Sequence, residues 1–466
     1  MIFLRRCFII LSTFLLIVAC CNLFGCSGSE AAFGGSESEL SFSTLDVIPS
    51  VDTNPLYSDE VVIPTEFKIL REGSAVDSFF SSAEETDIMS KNVYERNALL
   101  EQQYGISIVE ESRDDILDQA LVDAFSQDAE YDMLLISAPS ASSLVVKGAL
   151  ADLEALAAFD KNGAGYNGKI MSELSMGGRM FLAAGDATPS LVRSASAIAV
   201  NRELLSRIEG KEDIFELAAA GDLTHEIMLE YSAVLAELDL SDKILSPSSF
   251  IKAEADDAMA LFISGGGRFF VRNSVTDEFC AADFGGENKN VFSSVMSLFG
   301  IVASEDNEED NISFAESSPL FTVSNIGNFE AIAGGDSPYA LLPMPKMVPG
   351  REGYTSFVDV KKVSFAALPS GGDNENAVSV MNLIFGHSEG ISLALKEKCA
   401  SDTMYDIIKD SVSCDLLTFF DYGDLRGMMR DFVKERSSEK VFELRALDRS
   451  TAAIAAVSII TNNFYK

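Results

Sequence analysis

The chain has no tryptophan among its 466 residues and only two histidines, His225 and His387. Both shortages exclude chemistry. Two distant histidines and scattered cysteines leave no zinc site of ordinary ligand spacing, so no metal is expected. A serine hydrolase needs a histidine base, which in the α/β-hydrolases follows the nucleophile along the chain. Gly386-His387-Ser388-Glu389-Gly390 matches the G-x-S-x-G elbow, yet no histidine follows Ser388. The preceding Asp373-Asn374-Glu375 reads as a helix N-terminus, with Asp373 or Asn374 as cap and Glu375 favoured by the dipole. That puts the motif at the end of a helix, not of a strand.

Cysteine is sparse as well. Four of the seven lie at or before Cys26, and the others are Cys280, Cys399 and Cys414. An odd, scattered set is no disulfide framework; buried thiols are expected, with a Cys399–Cys414 pair as the alternative. Basic residues number 35 against 72 acidic ones, a net charge of −37. Nucleic acid and anionic lipid surfaces are repelled by such a chain and are not expected as partners. A pair of acids for glycoside hydrolysis could hide among so many carboxylates, but nothing selects one. The acidic run EDNEED at 305–310 fits no EF-hand spacing and reads as a solvated loop. Gly163-Ala-Gly-Tyr-Asn-Gly168-Lys169-Ile170 resembles a phosphate-binding loop, but Ile170 has no hydroxyl for a magnesium ion, and the stretch follows a helical pattern. Neither a catalytic residue nor a cofactor is expected.

What is present begins at the N-terminus. Arg5 and Arg6 precede an apolar run from Cys7 to Ala19, the pattern of a signal peptide and too short for a comfortable membrane span. Leu23-Phe24-Gly25-Cys26 resembles the bacterial lipoprotein cleavage box, which makes residues 1–25 the leader and Cys26 the lipidated residue. Ile17-Val18-Ala19-Cys20 is a second such box, so Cys20 is the alternative. Residues 26–60, rich in Ser, Gly, Glu and Asp, read as a flexible tether that holds the folded part on the outer face of a bacterial cell membrane through a lipid such as palmitate.

From residue 61 onward strands and helices alternate. Strands are expected at 67–70, 106–110 and 131–137, and helices at 86–104, 114–127 and 145–159. Such alternation predicts an α/β fold with a mostly parallel sheet covered on both faces. In the helix at 86–104, Val93, Asn97, Leu100 and Tyr104 share a face, so Asn97 is expected to point inward and bond the backbone of a neighbouring loop. Gly105 is the expected helix stop. Beyond Gly185 the helical share rises. A strand leads into a helix at 197–205, 223–238 is helical, 339–345 is extended, 356–369 reads as a strand pair, and the last hundred residues are mainly helical.

These segments carry a resemblance. NVYERNALLEQQYGISI (92–108) resembles the early helix and strand of extracellular solute-binding proteins of family 1, which serve sugar-type ABC importers. YDMLLISAPSASSLVVKGALADL (131–153) resembles the unit that follows in that family. GGRMFLAAGD with SAIAVNRELL resembles the first passage between its two lobes. SPYALLPMPK with ALPSGGDNENAVSVMNLIF resembles the second. The chain departs where relatives carry Gly-x-Trp-Thr-Trp, since it reads Gly221-Asp222-Leu223-Thr224-His225. Stacking on a sugar would fall to Phe and Tyr.

The resemblance implies a two-lobed, type II periplasmic-binding-protein-like fold, a Venus flytrap with an interlobe cleft and hinge strands. The N-terminal lobe would take 61–191 plus about 347–395, and the C-terminal lobe 192–346 plus about 396–466. It implies a monomer that binds a sugar or oligosaccharide and delivers it to ABC permease subunits. Carried over onto this chain, the cleft loops give Glu72, Ser137, Ala138, Ser140, Arg193, Ser194, Asn325 and Phe329 as ligand-binding candidates. For Phe329 the alternative is core packing. A sensor or docking protein of the same fold, and an exported glycoside hydrolase, are the competing classes.

Overall fold

The computed structural model describes residues 64–464 except 176, 212, 238–250, 274–275, 277, 300–318, 333–337, 351–352, 359–361, 399–401 and 422. The expected leader and tether, Cys20, Cys26, the EDNEED run and Cys399 lie outside the described residues, and so does any Cys399–Cys414 pair. Cys280 is exposed and Cys414 buried.

The first sheet is built by the expected alternation. Strand β1 (Glu66–Glu72) pairs in parallel with β2 (Ser107–Arg113) and β3 (Met133–Ser137). Helix α1 (Ile88–Tyr104) joins β1 to β2. Asp87 caps it by accepting from Ser90 N at 3.1 Å. Gly105 ends it at φ +71°, where its N–H bonds Glu101 O and a side chain would be strained.

The buried face of α1 is Met89, Val93, Arg96 and Leu100. Asn97 lies at its edge, half-buried, and Nδ2 donates to Phe79 O at 2.8 Å in the loop after β1. The residue at the centre is Arg96, 3% exposed, which also donates to Phe79 O. The inward face is therefore turned by one residue from the periodicity reading. Asn97→Leu should cost about 1–3 kcal/mol, because Arg96 loses the Asn97 Oδ1 acceptor and Phe79 O loses a donor. An unchanged urea midpoint would count against it.

Helix α2 (Leu117–Ala124) leads to β3, and α3 (Ala138–Val146) follows β3 directly. A helix over 145–159 is not found. Ser137 as cap and Pro139 in the first turn start the helix earlier, and Gly148 at φ +66° breaks it. Leu150 then bridges to Pro369, and Ala151 N bonds Leu368 O, so that backbone is used by the sheet. Only a 3-10 turn remains at Leu153–Ala155.

Next come α4 (Gly168–Glu173) and α5 (Ser190–Arg193), and the chain enters a second sheet at β4 (Ser196–Asn201). Helices α6 (Arg202–Leu205), α7 (Ile214–Ala220) and α8 (His225–Glu237) precede the short strand β5 (Ile251–Lys252). Then follow α9 (Ala258–Ser264), the hairpin of β6 (Phe270–Arg272) and β7 (Phe279–Ala281), and α10 (Glu287–Phe299). Strand β8 (Phe321–Asn325), α11 (Ile326–Ile332) and β9 (Tyr339–Pro343) complete the sheet in the order β5-β8-β4-β9. Here β4 is antiparallel to both its neighbours, so the expectation of a mostly parallel sheet holds only for the first.

The chain returns to the first sheet with β10 (Ser364–Ala367), antiparallel to β3, giving the order β10-β3-β1-β2. Helices α12 (Asn374–Gly386), α13 (Glu389–Lys398), α14 (Asp402–Ser411), α15 (Leu416–Phe419), α16 (Leu425–Glu435) and α17 (Glu439–Phe464) follow. Among the described residues one segment, Asn374–Glu397, is long and apolar enough to cross a membrane, but 61% of its most apolar window is buried in the protein. Phenylalanine does the packing work that tryptophan often shares. Phe442 of α17 stacks on Phe292 of α10 at 4.3 Å, with Phe262, Phe284 and Phe432 around it edge-on.

Candidate functional site

The candidate residues fall into two groups, each built around a helix start. In the first, Glu72 ends β1 and its carboxylate faces the N-terminus of α3. It accepts from Ser137 N and Ser140 Oγ, both at 2.8 Å, where a negative charge is favoured. Ala138, beside them, is fully buried. In the second, Ser194 Oγ donates to Lys362 O at 3.0 Å, and Asn325 Oδ1 accepts from Asn328 N at 2.8 Å at the start of α11. Gly327 brings Arg193 close to Asn325, since a Cβ added there would lie 3.4 Å from both Arg193 O and Asn325 Oδ1. Phe329 is 1% exposed and packs in the core.

Two segments connect the sheets, and Ser194 lies on the first of them. The first lies antiparallel to β10, with Ala183 opposite Ala366, and antiparallel to the second, with Ala195 opposite Val358, and Ser196 N bonds Phe357 O at 2.8 Å. A buried network that periodicity cannot signal ties the first segment and β10 to the loop after β1. Asp77 accepts from Ser190 N at 3.0 Å and from Ser190 Oγ at 2.5 Å. Ser190 Oγ accepts from Ser364 N at 3.0 Å, and Ser364 Oγ accepts from Val76 N at 2.7 Å. Burial pushes the Asp77 carboxyl up to about 7, against the Ser190 hydrogen bonds and the charges of Arg193 and Arg71.

The cavities that adjoin these segments include two with both acidic and basic residues in their walls. One of about 310 Å³ is lined by Glu173, Arg268, Phe269, Arg272, Phe357 and Asp415. Its polar groups bond the protein. Arg272 donates to the carbonyls of Ser172, Glu173 and Ser175 at the end of α4, and Glu173 accepts from Cys414 N at 2.6 Å. The other, of about 230 Å³, includes Tyr166, Asp186, Pro189, Tyr405 and Lys409. Lys409 Nζ there reaches Asp186 Oδ1 at 3.2 Å and Ser392 Oγ at 2.8 Å. None of the eight candidates lines either cavity.

The nucleophile look-alike is structural. Ser388 is fully buried, donates to Ile384 O at 2.6 Å and accepts from Arg96 Nη1 at 3.2 Å. His387, the residue after α12, has its Nδ1 against Leu383 O in the last turn of that helix. His225 is buried against Ser294 Oγ at 2.9 Å, and burial pushes its imidazole down to about 4, so it stays neutral. Among the described residues no group of three or more His, Cys, Asp or Glu is placed to hold a metal ion. No protein-family model and no curated protein matches the chain.

Proposed function

We propose that the chain is a membrane-anchored extracytoplasmic solute-binding protein of two-lobed, type II architecture. Each sheet with its helices forms one lobe, and the paired connecting segments form the hinge. A small solute, in this reading a carbohydrate, fills the interlobe cleft, and its contacts to both lobes favour the closed state that an ABC permease reads. The observation that carries the proposal is the double connection. The chain leaves the first sheet after β3 and returns to it at β10, and the two passages lie side by side. A hinge so built lets two rigid bodies rotate with few backbone dihedrals changed. The cavity between Glu173, Arg272 and Phe357 adds support, since its lining comes from both sides of the hinge and from the hinge itself.

The test is a thermal-shift screen of glycans, peptides and nucleosides, followed by small-angle scattering of any hit. A ligand at a hundred times its Kd stabilises by about 2.7 kcal/mol. The expected result is a rise in melting temperature with one ligand class, a smaller radius of gyration and no turnover. Product release from a glycan would refute the proposal in favour of a hydrolase. Stabilisation without compaction would refute hinge closure.

A further inference from the structure

We propose that Asp77 is a proton-linked latch that holds the first connecting segment against β10: their packed arrangement takes up a proton at Asp77, and opening returns it to solvent. The geometry is a closed ring of hydrogen bonds among three pieces of chain far apart in sequence. Loop residues Val76 and Asp77 donate their N–H groups to Ser364 Oγ at the start of β10, at 2.7 and 3.4 Å. Ser190 on the first segment donates both N–H and hydroxyl to the Asp77 carboxyl. Ser364 N closes the ring on Ser190 Oγ. Ser190 and Ser364 are fully buried and Asp77 is 5% exposed, so water cannot solvate a charge there while the ring is intact.

The surrounding charges do not cancel that cost. Arg71 on β1 spends its guanidinium on the carbonyls of Asp77 and Ala75 and stands 3.8 Å from Glu110 of β2. Arg193 on α5 acts on Asp77 through space. On the β10 side the ring meets Ser364, and Lys362 beside it is exposed. A neutral carboxyl keeps the ring, because Oδ1 still accepts from Ser190 N and the other oxygen can donate to Ser190 Oγ. If the first segment parts from β10, water reaches Asp77 and its proton affinity falls back toward the ordinary 3.8.

The sign follows. A carboxyl raised to about 7 when packed binds a proton between about pH 4 and 7 that the opened state does not bind. The packed state therefore weakens as pH rises through that window, by at most about tenfold per unit, and is flat above it. The latch rests on the hinge reading for its purpose, but its test needs no ligand.

Hydrogen exchange is followed at the Ala183 and Ala366 amides, which bond the first segment to β10, and at the Ser196 amide, which bonds Phe357 on the second segment. Protection corrected for intrinsic exchange should fall by roughly one to two orders of magnitude from pH 5 to pH 7. In Asp77→Asn, which imitates the protonated form, it should stay flat. Asp257, which burial also raises to about 7, is present in both proteins and cancels in the comparison. Ser190→Ala keeps the carboxyl but removes the hydroxyl donor, so its midpoint should move up, which keeps the test decisive if Asp77→Asn fails to fold. In the infrared, the parent should carry a carboxylic-acid carbonyl band at pH 6 that Asp77→Asn lacks. Identical pH profiles in parent and both variants, or no such band, would overturn the latch. Compaction by a ligand at every pH would then leave the solute-binding reading standing.

Discussion

Gly165→Ala is expected to cost more than about 4 kcal/mol and to leave little folded protein. An added Cβ would lie 1.9 Å from Phe385 O and 2.4 Å from Phe385 C. Those are backbone atoms near the end of α12, where Val378, Met381, Ile384 and Phe385 are fully buried, so the helix cannot retreat without opening the core. The residue also sits at φ +80°, where any side chain is strained. Gly185 meets Gly165 in turn, because a Cβ on Gly185 would lie 1.9 Å from Gly165 O. Gly178→Ala is the control: it too has positive φ, +75°, but nothing within 4 Å, and should cost about 1 kcal/mol. Urea unfolding of both compares them. Equal losses would show that backbone conformation, and not close approach, sets the cost.

Arg96→Ala is expected to cost about 3–5 kcal/mol, from a large cavity and a broken buried polar network. The guanidinium donates to Phe79 O at 2.7 Å, to Asn97 Oδ1 at 2.9 and 3.0 Å and to Ser388 Oγ at 3.2 Å. It also lies 5.5 Å from the centre of the Phe79 ring. One side chain thus joins α1, the loop after β1 and the start of α13. Burial pushes it down to about 10, with the Glu110 carboxylate opposing, so it remains charged at neutral pH. Arg96→Lys should recover less than half of the loss, since an ammonium cannot reach three partners in a planar fork. A full recovery in the urea midpoint would mean that charge alone matters.

Much of the first sheet was legible in the sequence. The runs at 67–70, 106–110 and 131–137 are apolar enough to be strands, and Gly105 marks a turn that only left-handed backbone satisfies. The end of α1 and the capping of α12 by Asp373 follow from local chemistry, in which side chain and partner are within a few residues. The face of α1 was read one residue off, because an arginine among apolar positions looks like a solvent residue until its acceptors are known. Those acceptors lie 17 and 292 positions away. The glycines of 163–168 and the G-x-S-x-G string look alike whether they bind a ligand or pack against a backbone.

By itself, then, the sequence determined the alternation that makes an α/β fold, the stop of α1 at Gly105 and the cap of α12 at Asp373. Each depends on residue type and near neighbours. The tertiary structure alone decided that β4 runs antiparallel to its neighbours, that Glu72 caps α3 and that Phe329 is core. It also decided that Asp77, Ser190 and Ser364 close one buried ring. Those outcomes depend on contacts between segments up to 288 residues apart, and local periodicity holds no record of which distant backbone a side chain will meet.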